Sequence, residues 1–196
     1  MVFVEIAYGI PKNQKLSVAK IIFDAFEDKY KHIFGPRKKS IHALVQFLRE
    51  DRTIVALKKG EVIGVGGLKF GRRGFIDPSL SSIVRVLKLG TIRALVMGWF
   101  FYLGRVEEKE LMIDSLAVAE DMRNKGIGSS LIKSIIDFAR SKGCLRVKLW
   151  VIEKNRRAKE LYKRMGFKQG KVHILPFPWD RIFGFKTVDE MNFWIS

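Results

Sequence analysis

Leu111–Leu131 reads LMIDSLAVAEDMRNKGIGSSL, and this stretch decides how the chain is to be read. An apolar run through Leu116-Ala117-Val118 has the pattern of a strand, acidic and polar residues end it, and Arg123-Asn124-Lys125-Gly126-Ile127-Gly128 then opens a helix. Two glycines one residue apart let the backbone turn sharply and come close to a ligand, because no Cβ stands in the way. The helix behind them presents unpaired N–H groups and the positive end of its dipole, which suit a phosphate. Strand, glycine turn and helix together read as a pyrophosphate cradle.

Other phosphate motifs do not fit. A Walker A loop needs Lys followed by Ser or Thr after its last glycine, and Gly128 is followed by Ser129-Ser130. A dinucleotide fingerprint needs a third glycine where Leu131 stands, and Gly64-Val65-Gly66 fails the same test at Lys69. Downstream, Leu145–Ile152 is a short apolar run between Gly143 and Glu153-Lys154. It is followed by Asn155-Arg156-Arg157-Ala158-Lys159-Glu160-Leu161-Tyr162-Lys163-Arg164-Met165-Gly166-Phe167. Asn155 is a good N-cap and Gly166 is placed to end the helix, with Ala158, Leu161, Tyr162 and Met165 on one face.

These two segments resemble the two signatures of the GNAT superfamily of acyl-CoA N-acyltransferases. The first is R-x-x-G-x-G after a strand, and the second is N-x-x-A-x-x-L-Y-x-x-x-G-F. The resemblance covers about the last 90 residues tightly and the N-terminal half by element order. It implies a GNAT fold: an α/β domain with a mixed, largely antiparallel sheet, splayed fourth and fifth strands and helices on both faces. It also implies acetyl-CoA as co-substrate, with Leu116, Ala117 and Val118 beside its pantetheine arm, and Arg123, Asn124, Lys125, Gly126, Ile127, Gly128 and Ser129 around its pyrophosphate. Asn155 would contact the cofactor, and Tyr162 would contact it and protonate the departing thiolate. A tyrosine on an apolar helix face is ordinarily core; the pairing of the two motifs gives it a function.

At 196 residues, 47% hydrophobic and 12% aromatic, the chain suits one globular domain spanning residues 1–196. The one cysteine, Cys144, cannot form an internal disulfide and reads as a small core residue rather than a nucleophile. No Cys/His cluster has metal-ligand spacing, so no metal is expected. The N-terminus lacks a basic n-region and no apolar run reaches membrane-spanning length, so a cytoplasmic protein without a membrane span is expected. A formal charge of +17 raises the question of nucleic acid. The charges are spread along the chain without interleaved aromatics, and they could equally steer the polyanionic coenzyme or simply be solvated.

Val2–Tyr8 reads as a strand, Lys15–Tyr30 as one amphipathic helix and Ser40–Glu50 as a second helix capped by Ser40. Arg52–Leu57 and Glu61–Phe70 read as strands joined at Lys59-Gly60, and Phe167–Leu175 and Met191–Ile195 as closing strands. Pro78–Gly104 reads as a helical insertion between the third and fourth strands, apolar nearly all round beyond Gly90. It could be core, a homodimer interface, or the roof of a pocket for an apolar acceptor.

The expected reaction is direct attack of an amine on the thioester in a ternary complex, the acceptor being a protein N-terminus, a lysine or a small amine. Asp114 is the first candidate for the base; regular alternation would put it on the face of Leu116 and Val118. Glu110 and Glu153 are further carboxylates that read first as solvated surface. The alternative is a non-catalytic GNAT-fold module that binds CoA, RNA or another partner.

Overall fold

The computed structural model describes residues 4–78, 106–175, 177, 180, 181 and 184–195. Seven strands form one sheet in the order β1-β2-β3-β4-β5-β7-β6. They are β1 Glu5–Tyr8, β2 Thr53–Lys58, β3 Glu61–Lys69, β4 Glu110–Val118, β5 Arg146–Ile152, β6 Lys168–Ile174 and β7 Thr187–Trp194. Every neighbouring pair is antiparallel except β4–β5, which is parallel. Helices α1 Lys15–Ala25, α2 Glu27–Phe34 and α3 Arg37–Phe47 cover one face, and α4 Ile127–Ser141 and α5 Arg156–Arg164 the other. This is the GNAT architecture that the two signatures imply. The insertion expected over Pro78–Gly104, with the dimer contact or pocket roof considered for it, lies outside the described residues beyond Pro78.

Strand alternation divides the core in two. Val55, Val65 and Ala117 join Val18, Ile22 and Phe23 of α1, while Ile54, Ala56 and Ile113 join Leu131 and Ile135 of α4. The paired glycines of β3 serve this packing rather than a phosphate. A Cβ on Gly66 would stand 2.9 Å from Ile135 Cδ1, and one on Gly64 would stand 3.1 Å from Ile127 Cγ2. Their absence lets α4 sit down on the sheet.

Local readings needed correction at several points. The helix expected over Lys15–Tyr30 breaks at Phe26, which leaves helical geometry at φ −134°. The break turns α2 so that Phe34 meets Phe47 of α3, ring centroids 5.7 Å apart. Ser40 does not cap a helix start, because α3 already begins at Arg37. Its buried Oγ instead lies 2.6 Å from the carbonyl oxygen of Gly35, closing the end of α2. The last strand starts at Thr187 rather than Met191, since Asp189 and Asn192 are buried polar residues that blur its apolar alternation.

The base of the parallel pair holds an ionic cluster. Glu110 is 6% exposed; Arg146 donates to its Oε1, and Lys148 Nζ lies 2.6 Å from its Oε2. The surface reading of Glu110 fails for this reason: β5 brings two cations to it. Burial by itself would raise its carboxyl, but hydrogen bonds from Lys148, the Glu107 N–H and Arg146 outweigh burial and hold it below the usual range. Its stabilisation is therefore present above the unfolded carboxyl's pKa of about 4.3 and lost as pH falls through the lower folded value. Glu110→Gln should cost about 3 kcal/mol in denaturant unfolding near neutral pH, since two covered cations lose their counter-charge. The deficit relative to the unmodified protein should shrink on acidification below about pH 4.

Candidate active site

The ladder between β4 and β5 runs from Glu110↔Arg146 to Ile113↔Leu149 and then stops, although β4 continues to Val118 and β5 to Ile152. A wedge-shaped gap opens between two adjacent strands. Opposite it, Ala119 N–H bonds to Ile63 O, so by antiparallel alternation the main chain of Ala117 faces β3. Those of Leu116 and Val118 face the gap, and Arg123 Nε donates to Val118 O across 3.2 Å. Ala117 thus lies beside the gap without facing it, its side chain in the first core.

The glycine turn that opens α4 stands at the mouth of this gap. Gly126, at φ +80°, is the N-cap of α4, and Asn124 is also left-handed at φ +66°. Gly126 has no side chain to cap the helix, and among the described residues no side chain accepts from the first-turn N–H groups of Ile127, Gly128 and Ser129. A Cβ on Gly126 would meet nothing within 4 Å, so backbone conformation demands glycine there and the space in front is open. At Gly128 a Cβ would press Leu161 Cδ2 of α5 at 3.3 Å. Lys125 Nζ bonds to Asp121 O at 2.8 Å, and Arg157 donates to Asn124 Oδ1, tying the start of α5 to the loop. This uncapped, basic helix start can take a pyrophosphate.

Helix α5 sits beside it. Asn155 Oδ1 accepts the Ala158 N–H at 3.1 Å, the N-cap expected from sequence. Tyr162 is 9% exposed in the core shared with Leu149 and Val151, its ring 5.8 Å from that of Phe167. Burial pushes its hydroxyl up to about 12, so the phenol keeps its proton through neutral pH. Cys144 is buried, and burial raises its thiol, as befits a core residue with little thiolate to offer.

Asp114 lies on the other face of the sheet. Gly67 pairs with Ser115 and Leu68 with Ile113, leaving Asp114 as the extra residue of a β-bulge. Alternation is therefore not regular. Leu116 and Val118 pack toward α4, whereas the Asp114 charge acts on Lys29 and Tyr30 of α2 and on Lys69. Ser115 Oγ lies 3.5 Å from Asp114 Oδ2. Glu153 is exposed and accepts a hydrogen bond from Thr187, whereas Glu110 is committed to its two cations.

The motif reading passed over a second polar group on this face. Trp150, the first β5 residue beyond the ladder, packs on His173 of β6, ring centroids 5.2 Å apart. His173 Nε2 lies 3.4 Å from Glu190 Oε2 on β7, and Asn192 Nδ2 donates to Glu190 Oε1 at 2.9 Å. Its only trace in sequence is the run of polar or aromatic residues at every second position, Arg146-Lys148-Trp150 and Glu190-Asn192-Trp194. Among the described residues no group of three or more His, Cys, Asp or Glu is arranged to hold a metal ion, and no helix is long and apolar enough to cross a membrane.

Asn155 can be checked without any ligand. Asn155→Ala should lower stability by about 1 kcal/mol in equilibrium unfolding, because the Ala158 N–H loses its acceptor, while Asn155→Asp should retain most of it.

The chain matches the acetyltransferase (GNAT) family over residues 17–167. It is 42% identical over 69 residues to a probable N-acetyltransferase camello of Xenopus tropicalis, covering 35% of this chain and 32% of that one. It is 32% identical over 68 residues to the thialysine N-epsilon-acetyltransferase of Bos taurus, covering 35% and 40% respectively. The chain thus spans about a third of the length of these curated relatives. The fold superimposes on the crystal structure of an N-acetyltransferase from Staphylococcus aureus Mu50 with a TM-score of 0.67, at 17% identity over 96% of this chain and 100% of the other. With its parted parallel strands, uncapped α4 and capped α5, the chain belongs to the acetyltransferase (GNAT) family.

Proposed function

We propose that this protein transfers an acetyl group from acetyl-CoA to an amine by direct attack in a ternary complex, and that the chain is one catalytic domain. The observation that carries the reading is the parting of β4 and β5 directly beside an uncapped helix start. Arg123–Ser129 would hold the pyrophosphate through the first-turn N–H groups of α4. Main-chain groups of Leu116 and Val118 would pair with the pantetheine amides, with Ala117 as the residue between them and Asn155 contacting the cofactor from α5. The exposed Arg156, Arg157, Lys163 and Arg164 of α5 add positive field beside the cradle, which favours capture of a polyanion.

Acetyl-CoA supplies an activated thioester carbonyl. A buried phenol that remains protonated is suited to donating a proton to the leaving thiolate, the role proposed for Tyr162. Asp114, at the bulge on the opposite face, would accept the proton that nitrogen loses as its bond to carbon forms. Proximity and orientation of the amine supply the rest of the rate.

Thiol release over a panel of N-terminal peptides, lysine, and alkyl and aryl amines tests the reaction. Turnover of at least one amine is expected; binding of acetyl-CoA with no turnover of any would leave the non-catalytic module. Gly128→Val should abolish acetyl-CoA binding in calorimetry while the protein stays folded, because a branched side chain crowds both Leu161 and the phosphate seat. Tyr162→Phe should lower kcat by roughly 10²–10⁴ with little change in acetyl-CoA affinity. In the unmodified protein the alkaline fall in kcat set by this phenol should lie above pH 10, approaching the raised value of about 12.

A further inference from the structure

An amine acceptor that arrives as an ammonium must lose two protons before it becomes an amide, and Asp114 can take only one. The face of the sheet that carries Asp114 also carries the His173–Glu190 pair. Leu149, Val151 and Met191 turn into the core under α4, so Trp150, Glu190 and Asn192 project to the opposite side. His173 pairs with Val188 across the β6–β7 ladder and projects to that same side. Trp150 is the first β5 residue past the ladder's end, and its indole reaches over β7 to the His173 ring on the edge strand β6, ring centroids 5.2 Å apart and tilted by 42°, so it links that ring to the strand bordering the gap.

The pair is built as an oriented base. A carboxylate only accepts, so the nitrogen facing Glu190 carries a hydrogen, and in the neutral ring the lone pair is then on Nδ1. The side chain of Glu190 is 15% exposed, while that of His173 is 39% exposed and can return a proton to water. Burial alone would raise the Glu190 carboxyl; hydrogen bonds from Asn192 and His173 and the charge of Arg146 prevail and hold it below its usual range, so it stays ionised. The backbone makes room for this arrangement at Gly170, where a Cβ would stand 2.4 Å from Asn192 Nδ2 and 3.0 Å from Glu190 Oε1. Beside the pair, the buried Asn192 Oδ1 and Trp150 Nε1 have no hydrogen-bond partner among the described residues. Among the described residues, the charged groups on this face of the neighbouring strands are Glu190 from β7 and Arg146 and Lys148 from β5, the last held by Glu110, while Lys171 on the ring's own strand is exposed to solvent.

We propose that His173, oriented by Glu190, is the base that converts the acceptor's ammonium into the free amine on the Asp114 side of the β4–β5 gap. The proposal rests on the acetyl-transfer reading above. His173 Nδ1 takes the first proton and passes it to solvent. The amine nitrogen then forms the C–N bond as the C–S bond breaks, its second proton goes to Asp114, and the thiolate takes the Tyr162 proton. Exchange through water returns the Asp114 proton to the tyrosinate, so the net products are amide, free thiol and one proton.

The test compares kcat/KM for the alkyl amines and peptides of the panel in the unmodified protein and in His173→Gln. At about pH 7 the variant should lose roughly 10²-fold, and near pH 10, where the amine loses its proton unaided, it should come within a few-fold. A loss below twofold at neutral pH, or an equal loss at both pH values, overturns the proposal, the second outcome marking a structural role. Ring nitrogen NMR gives a readout independent of turnover: in its neutral form His173, one of three histidines, should carry its proton on Nε2, and the opposite tautomer overturns the proposal. If His173→Gln does not fold, Glu190→Gln replaces it, with a smaller loss of the same pH dependence expected. If the unmodified protein turns over no amine, the acetyl-transfer reading fails and this proposal with it; if turnover is normal and only the His173 arm fails, that reading stands.

Discussion

The interrupted ladder between β4 and β5 is the constraint on which the rest depends. Two parallel strands that pair at Ile113↔Leu149 and then part leave main-chain groups of Leu116 and Val118 without a strand partner. Buried backbone polar groups are seldom left so. One carbonyl, that of Val118, is met by Arg123, and the remaining main-chain groups on this edge face the gap. Below the fork, Glu110 with Arg146 and Lys148 pins the strands together, so the opening has a fixed base. The bulge at Asp114 adds local twist where β4 leaves its partner.

The fork also separates two kinds of chemistry. On the α4 and α5 face lie an uncapped helix start, a basic helix surface and a buried phenol, a set suited to a polyanion and a leaving thiolate. On the α1 and α2 face lie Asp114 and the Trp150–His173–Glu190 group, suited to handling protons on nitrogen. A carbonyl lodged in the gap would be approached by nucleophile and leaving-group acid from opposite sides. In the proposed reaction that separation would keep the acid and the base apart.

Much of this was legible because the signals are local. A glycine turn before an apolar helix, an Asn cap three residues before the N–H it satisfies, and a Lys-Gly hairpin each act over a few residues. Gly126, Asn155 and the Lys59-Gly60 turn accordingly stand where sequence puts them. The misread positions depend on residues far away in the chain. Glu110 is buried because β5 brings Arg146 and Lys148 to it, and Phe26 breaks a helix so that Phe34 can reach Phe47. Ser40 is the local exception: α3 already begins at Arg37, so its hydroxyl bonds back to Gly35 instead of capping.

The sequence by itself therefore determined the family, the glycine turn that opens α4 and the capped helix with its tyrosine, since each is written in the conformational demands of consecutive residues. Only the tertiary structure decided which face Asp114 occupies, because a single extra residue in β4 reverses alternation without any mark in composition. Only it could join His173, Glu190, Asn192 and Trp150, which come from three strands and meet through the β5–β7–β6 order. Strand order and register are set by the packing of the whole sheet, and no short stretch of residues carries them.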